Sequence, residues 1–148
     1  MRLSTKARYA ARAMIELAIN YRGEPVKLKD IAHNQEISIK YLEQLMNPLR
    51  VNGFVSTQKG SRGGYTLVIP PDQITLYDIV HCVEGSLAPT DCVNNPGVCG
   101  RVDQCVTRSV WSRLHEVIVK ELQSETLDSL AEEQIKKRTL LETSRPQV

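Results

Sequence analysis

Three cysteines, Cys92, Cys99 and Cys105, stand in the stretch "CVNNPGVCGRVDQC" with six and then five residues between them. Thiols at such intervals can hold a metal, hold an inorganic cluster, pair as a disulfide or react one by one. A structural zinc site wants a tighter C-x2–4-C knuckle, which neither interval supplies. The C-x4-C-x2-C spacing of plant-type ferredoxins is also absent. The opening "MRLSTKARYA" has no apolar secretory stretch, so the expected compartment is the cytoplasm, where thiols stay reduced and disulfides are rare. Pro96, Gly97 and Gly100 make a loop flexible enough to wrap an inorganic core. The residues point to a metal or a cluster, with independent reactive thiols as the alternative. Cys82, among Ile79, Val80 and Val83, reads instead as a buried core thiol.

A second set of residues is polar and basic. Ser38, Lys40, Tyr41, Glu43 and Gln44 lie at the start of "SIKYLEQLMNPLRVNG", and Lys59, Gly60, Ser61 and Arg62 lie in "KGSRGG". Spacings of three and four bring Lys40, Glu43 and Gln44 onto one helical face. A glutamine can bond an adenine edge in two places, a lysine can reach guanine or phosphate, and serine and tyrosine suit phosphate oxygens. Glu43 is repelled by phosphate. It either accepts a bond from a cytosine amino group, and so discriminates, or stays solvated beside Lys40. Lys59 and Arg62 on a narrow, glycine-rich turn suit a minor groove or phosphates.

These residues need elements to hold them. "STKARYAARAMIELAINY" has apolar residues at helical spacing, with Ser4 or Thr5 as cap. After the break at "RGEP", a short helix is predicted from about Leu28 to Gln35, with a tight turn at Glu36–Ile37. A longer helix follows from Ser38, an N-cap, to Asn52–Gly53, with Pro48 expected to bend it or weaken its last turn. The β-prone runs "FVSTQ" and "YTLVI", joined by the basic glycine-rich tip, form a hairpin. That order of helix, short helix, turn, longer helix and hairpin is the order of a winged helix-turn-helix, whose second helix enters the major groove of DNA.

"TLYDIVHCVEG" predicts a capped helix from Thr75 to about Glu84, and the cysteine segment after it has little regular structure. In "VTRSVWSRLHEVIVKEL", Val106, Val110, Trp111, Leu114, Val117, Ile118 and Leu122 make one broad apolar stripe. Little chain is left to cover it, so the economical cover is a second copy in a symmetric dimer. Packing back on the winged domain is the alternative. "SETLDSLAEEQIKK" allows one more helix capped by Thr126. The expected fold class is α+β, mostly helical: a winged helix-turn-helix with a long C-terminal dimerisation helix. Residues 1–85 form the DNA-binding domain, 86–104 the cysteine loop, 105–133 the dimerisation helices and 134–148 a disordered tail.

Composition agrees with this division. The 148 residues are 41% hydrophobic and 24% charged, ordinary for one soluble domain with an appendage. No run is long and apolar enough for a membrane helix. Residues 1–70 hold eleven Lys/Arg against five Asp/Glu, and residues 71–148 hold eight against twelve. A front half at +6 before a back half at −4 suits a polyanion-binding module joined to something else. No Ser/His/Asp or paired-acid constellation occurs, and His33, His81 and His115 fall on separate predicted elements, so no enzyme is expected.

"MRLSTKARYA", "ISIKYLEQLMNPLRVNGFVSTQKGSRGGY" and the cysteine triplet before "VTRSVW" together resemble the IscR family of iron–sulfur-cluster regulators, from Met1 to about Leu130. The resemblance implies a homodimeric transcription regulator, mainly a repressor, acting on double-stranded DNA at a pseudo-palindromic operator. It implies control of iron–sulfur cluster assembly genes and a 2Fe–2S cluster on Cys92, Cys99 and Cys105. It also implies DNA reading at Ser38, Lys40, Tyr41, Glu43, Gln44, Lys59 and Gly60, and a dimer built on the long helix after the cysteines. Two departures stand out. The first cysteine interval is one residue wider than the family's. The family's histidine ligand falls on Arg108, whose guanidinium is a very poor ligand, while the aspartate of a nitric-oxide-sensing branch falls on Arg8. The fourth ligand is open among Asp91, Asp103, Glu43 and an exogenous thiol. A regulator sensing nitric oxide or redox state, or one with zinc or no metal at the triplet, is the alternative.

Overall fold

The computed structural model describes residues 3–144. The first helix, α1 (Thr5–Ile19), starts where the Ser4 hydroxyl accepts the Ala7 N–H. Its inner face is Ala7, Ala10, Ala13, Met14, Leu17 and Ala18, all buried. Small side chains there let two other helices approach closely, and α1 is the central strut of the molecule.

The helix-turn-helix follows as α2 (Leu28–Gln35) and α3 (Ile39–Val51). The chain reverses at Glu36, which is left-handed with φ 54°, while the Ile37 N–H reaches back to the Ala32 carbonyl at 3.0 Å. Ser38 caps α3 by accepting the Tyr41 N–H at 3.1 Å. Pro48 lies inside α3, yet the helix continues to Val51. Proline removes one N–H, so the Gln44 carbonyl loses its partner; because Gln44 is exposed, water can take that place.

The wing is β1 (Val55–Gln58) and β2 (Gly64–Leu67), antiparallel in the register Val55↔Leu67 to Gln58↔Gly64. Val26 adds a third rung, exchanging bonds of 2.9 and 2.8 Å with Tyr65. This approach explains Gly64, since a Cβ there would sit 2.4 Å from the Val26 carbonyl oxygen.

Next comes α4 (Leu76–Glu84), begun by a reciprocal cap in which Thr75 and Asp78 bond each other's backbone. The cysteine segment is more regular than its sequence predicts: α5 (Asp91–Asn94) and a 3₁₀ turn at Pro96–Val98 occupy it. The long helix α6 (Val106–Ser124) has no buried residue, and α7 (Leu127–Thr143) closes the fold.

The C-terminal part corrects the expected division. The disordered tail predicted from residue 134 is helical through Thr143; residues 145–148 lie outside the described residues. The start of α7 also packs into the head, where Leu127 and Ala131 are buried in the same core as Met14, Ile31, Leu42, Met46 and Ile79. The cause lies in α1. Its alanine face leaves room for α7, and the buried Glu16 carboxylate takes a charge-assisted bond from Arg138. Backbone bonds of 2.8 Å from Leu76 to Glu125 and from Leu127 to Ile74 stitch the α6–α7 junction to the start of α4. Among the described residues no helix is long and apolar enough to cross a membrane.

Candidate functional site

The amphipathic pattern of α3 decides what it shows. Leu42, Leu45, Met46 and Leu49 are buried, which leaves Lys40, Glu43, Gln44 and Asn47 exposed on the other side. The face predicted from spacing therefore exists. Ser38 is exposed and its oxygen is engaged in the cap, leaving its hydroxyl proton to donate outward. Tyr41 is half-buried, edge-on to Tyr9 with ring centroids 6.1 Å apart. The Arg12 guanidinium stands 5.2 Å from the Tyr9 ring centre, so α1 steadies Tyr41 and adds the exposed cations Lys6, Arg8 and Arg12. Sequence reasoning missed Tyr9 and Arg12 at this site. The signal was the basic surplus of the front half, which those cations carry.

Glu43 makes no ion pair with Lys40 among the described residues; the ion pairs found there involve Glu16, Glu132 and Glu133. Glu43 is exposed and solvated all the same. Glu43 bears instead on the wing. Burial first, and the Glu43 charge second, push the Tyr65 hydroxyl above its ordinary pKa, while Arg50 opposes them.

At the wing tip Lys59, Gly60, Ser61 and Arg62 are exposed. Gly60 has φ 106°, a conformation other residues rarely adopt, and its carbonyl accepts the Gly63 N–H at 3.0 Å. A Cβ on Gly63 would lie 2.2 Å from the Gln58 carbonyl oxygen. The glycines are required by the turn, and they keep the basic tip narrow.

All four cysteines are free and half-buried. The Cys92 sulfur lies 3.3 Å from the Thr90 hydroxyl, and Cys105 is the residue before α6. A hydrogen bond from the Thr107 hydroxyl, backbone bonds at the helix start and the Arg101 charge lower the pKa of the Cys105 thiol. Burial raises that of Cys82, which packs against the core while half-buried rather than inside it as its neighbours predict. Asp91 and Asp103 are exposed, His115 is on α6, and His81 stands against Tyr77 at 5.3 Å.

Three free thiols, one with a weakened proton, fit an iron–sulfur core as a donor set, because thiolates are the ligands such cores take. Gly97 and Gly100 leave the loop between them unhindered, with only the Asn95 side chain near Gly97 and nothing near Gly100. Yet among the described residues no three His, Cys, Asp or Glu side chains gather where one metal ion could meet them. A metal held by all three sulfurs would require the loop to rearrange. Arg108, in the position the resemblance gives to a histidine, instead donates its Nε–H to the Cys92 carbonyl at 3.0 Å.

The family model for Rrf2, described as an iron-dependent transcriptional regulator, matches residues 3–133. The chain is 39% identical over 134 residues to the HTH-type transcriptional regulator IscR of Photorhabdus laumondii, covering 90% of this chain and 81% of that one. Among solved structures, CymR, the global cysteine regulator of B. subtilis, superposes with a TM-score of 0.76 at 37% identity, covering 89% of this chain and 97% of that chain. T. potens IscR gives 0.73 at 34% identity, covering 100% and 94%.

Proposed function

The chain belongs to the Rrf2 family of transcriptional regulators, and from that premise we propose that it represses genes of iron–sulfur cluster assembly as a homodimer whose DNA affinity follows the state of its cysteines. The observation that carries the DNA part is the free face of α3, where Lys40, Glu43 and Gln44 stand exposed above a buried apolar row, with a basic wing after it. In this reading α3 enters a major groove, Gln44 and Glu43 read base edges, and Lys40, Ser38 and Tyr41 fix the register on phosphates. The wing residues Lys59, Gly60, Ser61 and Arg62 follow the backbone or the minor groove.

The dimer rests on α6. Val106, Val110, Trp111, Leu114 and Val117 are exposed on the helix whose Ile118 and Leu122 pack against the core, and beside Val117 opens an apolar groove of about 480 Å³ lined also by Leu3, Leu87, Ile118 and Leu122. A contiguous apolar surface of this kind marks an interface, and a second α6 covers it symmetrically. Two reading heads then face half-sites about 34 Å apart, on one side of the duplex.

For sensing, Cys92, Cys99 and Cys105 would hold a 2Fe–2S cluster, which when bound supplies a centre sensitive to iron supply and oxidants. What the chain contributes is a pliable loop before α6 and a path from it: α6 ends at the junction stitched to α4, beneath the head. The test is anaerobic purification, iron and sulfide content per chain, and DNA affinity with and without the bound metal. About two irons and two sulfides per chain with a change in affinity supports the reading; no iron after reconstitution overturns the cluster. A second reading, a thiol-based redox sensor, is favoured by the lowered pKa of Cys105 and the separate placement of the three sulfurs. Operator affinity that changes with a thiol oxidant in iron-free protein would select it.

A further inference from the structure

Arg108 is half-buried at the first turn of α6 and does two things at once. Its side-chain Nε–H donates to the carbonyl of Cys92 at 3.0 Å, sixteen residues back. Its backbone N–H donates to the carbonyl of Cys105 at 3.2 Å. The Arg108 side chain therefore ties the Cys92 main chain to the first turn of α6, whose own backbone already holds Cys105. We propose that Arg108 is a positioning residue, a clasp that holds the two ends of the cysteine loop against the start of α6 whether or not a metal centre is bound.

The chemistry of the side chain suits that task. Guanidinium is charged at any accessible pH and planar, and its donors point in fixed directions, so one nitrogen can be committed to a carbonyl while the others keep their solvent. A bond between a cation and a carbonyl is stronger than a neutral one. Among the described residues no side-chain bond ties the 3₁₀ turn at Pro96–Val98 or Cys99 to the rest of the molecule; the turn is held by its own backbone bonds and by the Gly97 N–H donating to the Asn95 side chain. The clasp thus divides the segment. Its ends are fixed to α6, and the part between, with Pro96, Gly97, Cys99 and Gly100, is left to rearrange. A displacement of Cys92 moves α5 and the first turn of α6 together, because Arg108 connects them. The importance of this for sensing rests on the cysteine reading above; the clasp itself does not.

The test uses the full chain in its iron-free form. Amide hydrogen exchange across 90–108 and iodoacetamide labelling of Cys92 are compared in wild type, Arg108→Gln and Arg108→Lys. Exchange in 90–108 should rise on the order of tenfold in Arg108→Gln, the effect of losing one such bond, and Cys92 should label faster. Arg108→Lys, which keeps the charge without the rigid fork, should recover part of the protection. Exchange in α1, α3 and α4 should not move, which separates a local clasp from general destabilisation. Unchanged exchange in both variants, or a rise spread evenly over the whole chain, overturns the proposal. Iron and sulfide content of the wild type is read separately: a chain without iron but with the localised rise ends the cluster reading and leaves the clasp standing, and a loaded chain with unchanged exchange does the reverse.

Discussion

At the scale of single residues, the proposed DNA face would divide into positions that hold and positions that choose. Lys59 is exposed on a tip where the backbone is fixed by Gly60 and Gly63, so its charge acts on any duplex. Lys59→Ala should weaken binding to cognate and scrambled DNA alike and flatten the salt dependence by about one unit of slope. Gln44→Ala should act differently, costing about 1–3 kcal/mol on the preferred sequence and little on the scrambled one. Titrating both variants against both duplexes at two salt concentrations checks this; equal losses everywhere would remove the division. The cysteines separate by acidity. The thiolate is the nucleophile, and the Cys105 thiol has a lowered pKa while that of Cys82 is raised. In iron-free protein the iodoacetamide rate at Cys105 should therefore climb at lower pH than the rate at Cys82. Labelling followed residue by residue across pH 6–10 reads the order directly, and the reverse order would contradict the hydrogen bonds placed at the start of α6.

At the scale of elements, two close packings hold the reading head in shape. β2 lies against Val26 so tightly that Gly64→Ala sets a methyl 2.4 Å from backbone, and backbone cannot swing aside as a side chain can. The expected cost is about 1–3 kcal/mol, read as a shift of the thermal or urea midpoint, with a loss of DNA affinity beyond it because the wing tilts. The other packing is α7 on α1. Glu16 is 3% exposed and accepts from both Gln35, at 2.8 Å, and Arg138, joining α1 to α2 of the helix-turn-helix and to the C-terminal helix. Arg138→Ala leaves that buried carboxylate with one donor fewer, at about 1–3 kcal/mol. Denaturant unfolding measures it; an unchanged midpoint would mean water replaces the guanidinium fully.

For the whole molecule, the unpartnered surface lies on α6 and the basic surface on the head, joined at the stitched junction of Glu125 and Leu127 with Leu76 and Ile74. Val110→Asp with Leu114→Asp places two charges on the stripe. If α6 pairs two copies as proposed, sedimentation should then give a monomer in place of a dimer, and operator affinity should fall by on the order of a hundredfold or more, since one head alone keeps half the contacts. A variant that sediments unchanged would mean the stripe is covered by something other than a second copy.

Sequence alone determined the parts whose signal is local. Hydrophobic period, caps and glycines placed α1 to α4 and the hairpin within a residue or two, because Ser4, Ser38 and Thr75 act on their own next turn. The exposed face of α3 was legible for the same reason, as was the apolar stripe on α6, though Ile118 and Leu122 at its end pack back on the core. Tertiary structure alone decided where α7 goes. The arginine, leucines and glutamate of "RTLLETS" are compatible with a helix, but where that helix docks depends on contacts such as Arg138 with Glu16, a partner 122 residues away. It also decided that the Glu43 charge acts on the Tyr65 hydroxyl of the wing, and that Tyr9 supports Tyr41. The cysteine triplet shows the boundary between the two. The spacing names the donors, but whether three sulfurs meet depends on the path of the loop, in which contacts such as Arg108 with the Cys92 carbonyl and Asn94 with Ser86 take part. Contacts between residues far apart in the chain leave no periodic mark on it, so only the folded molecule displays them.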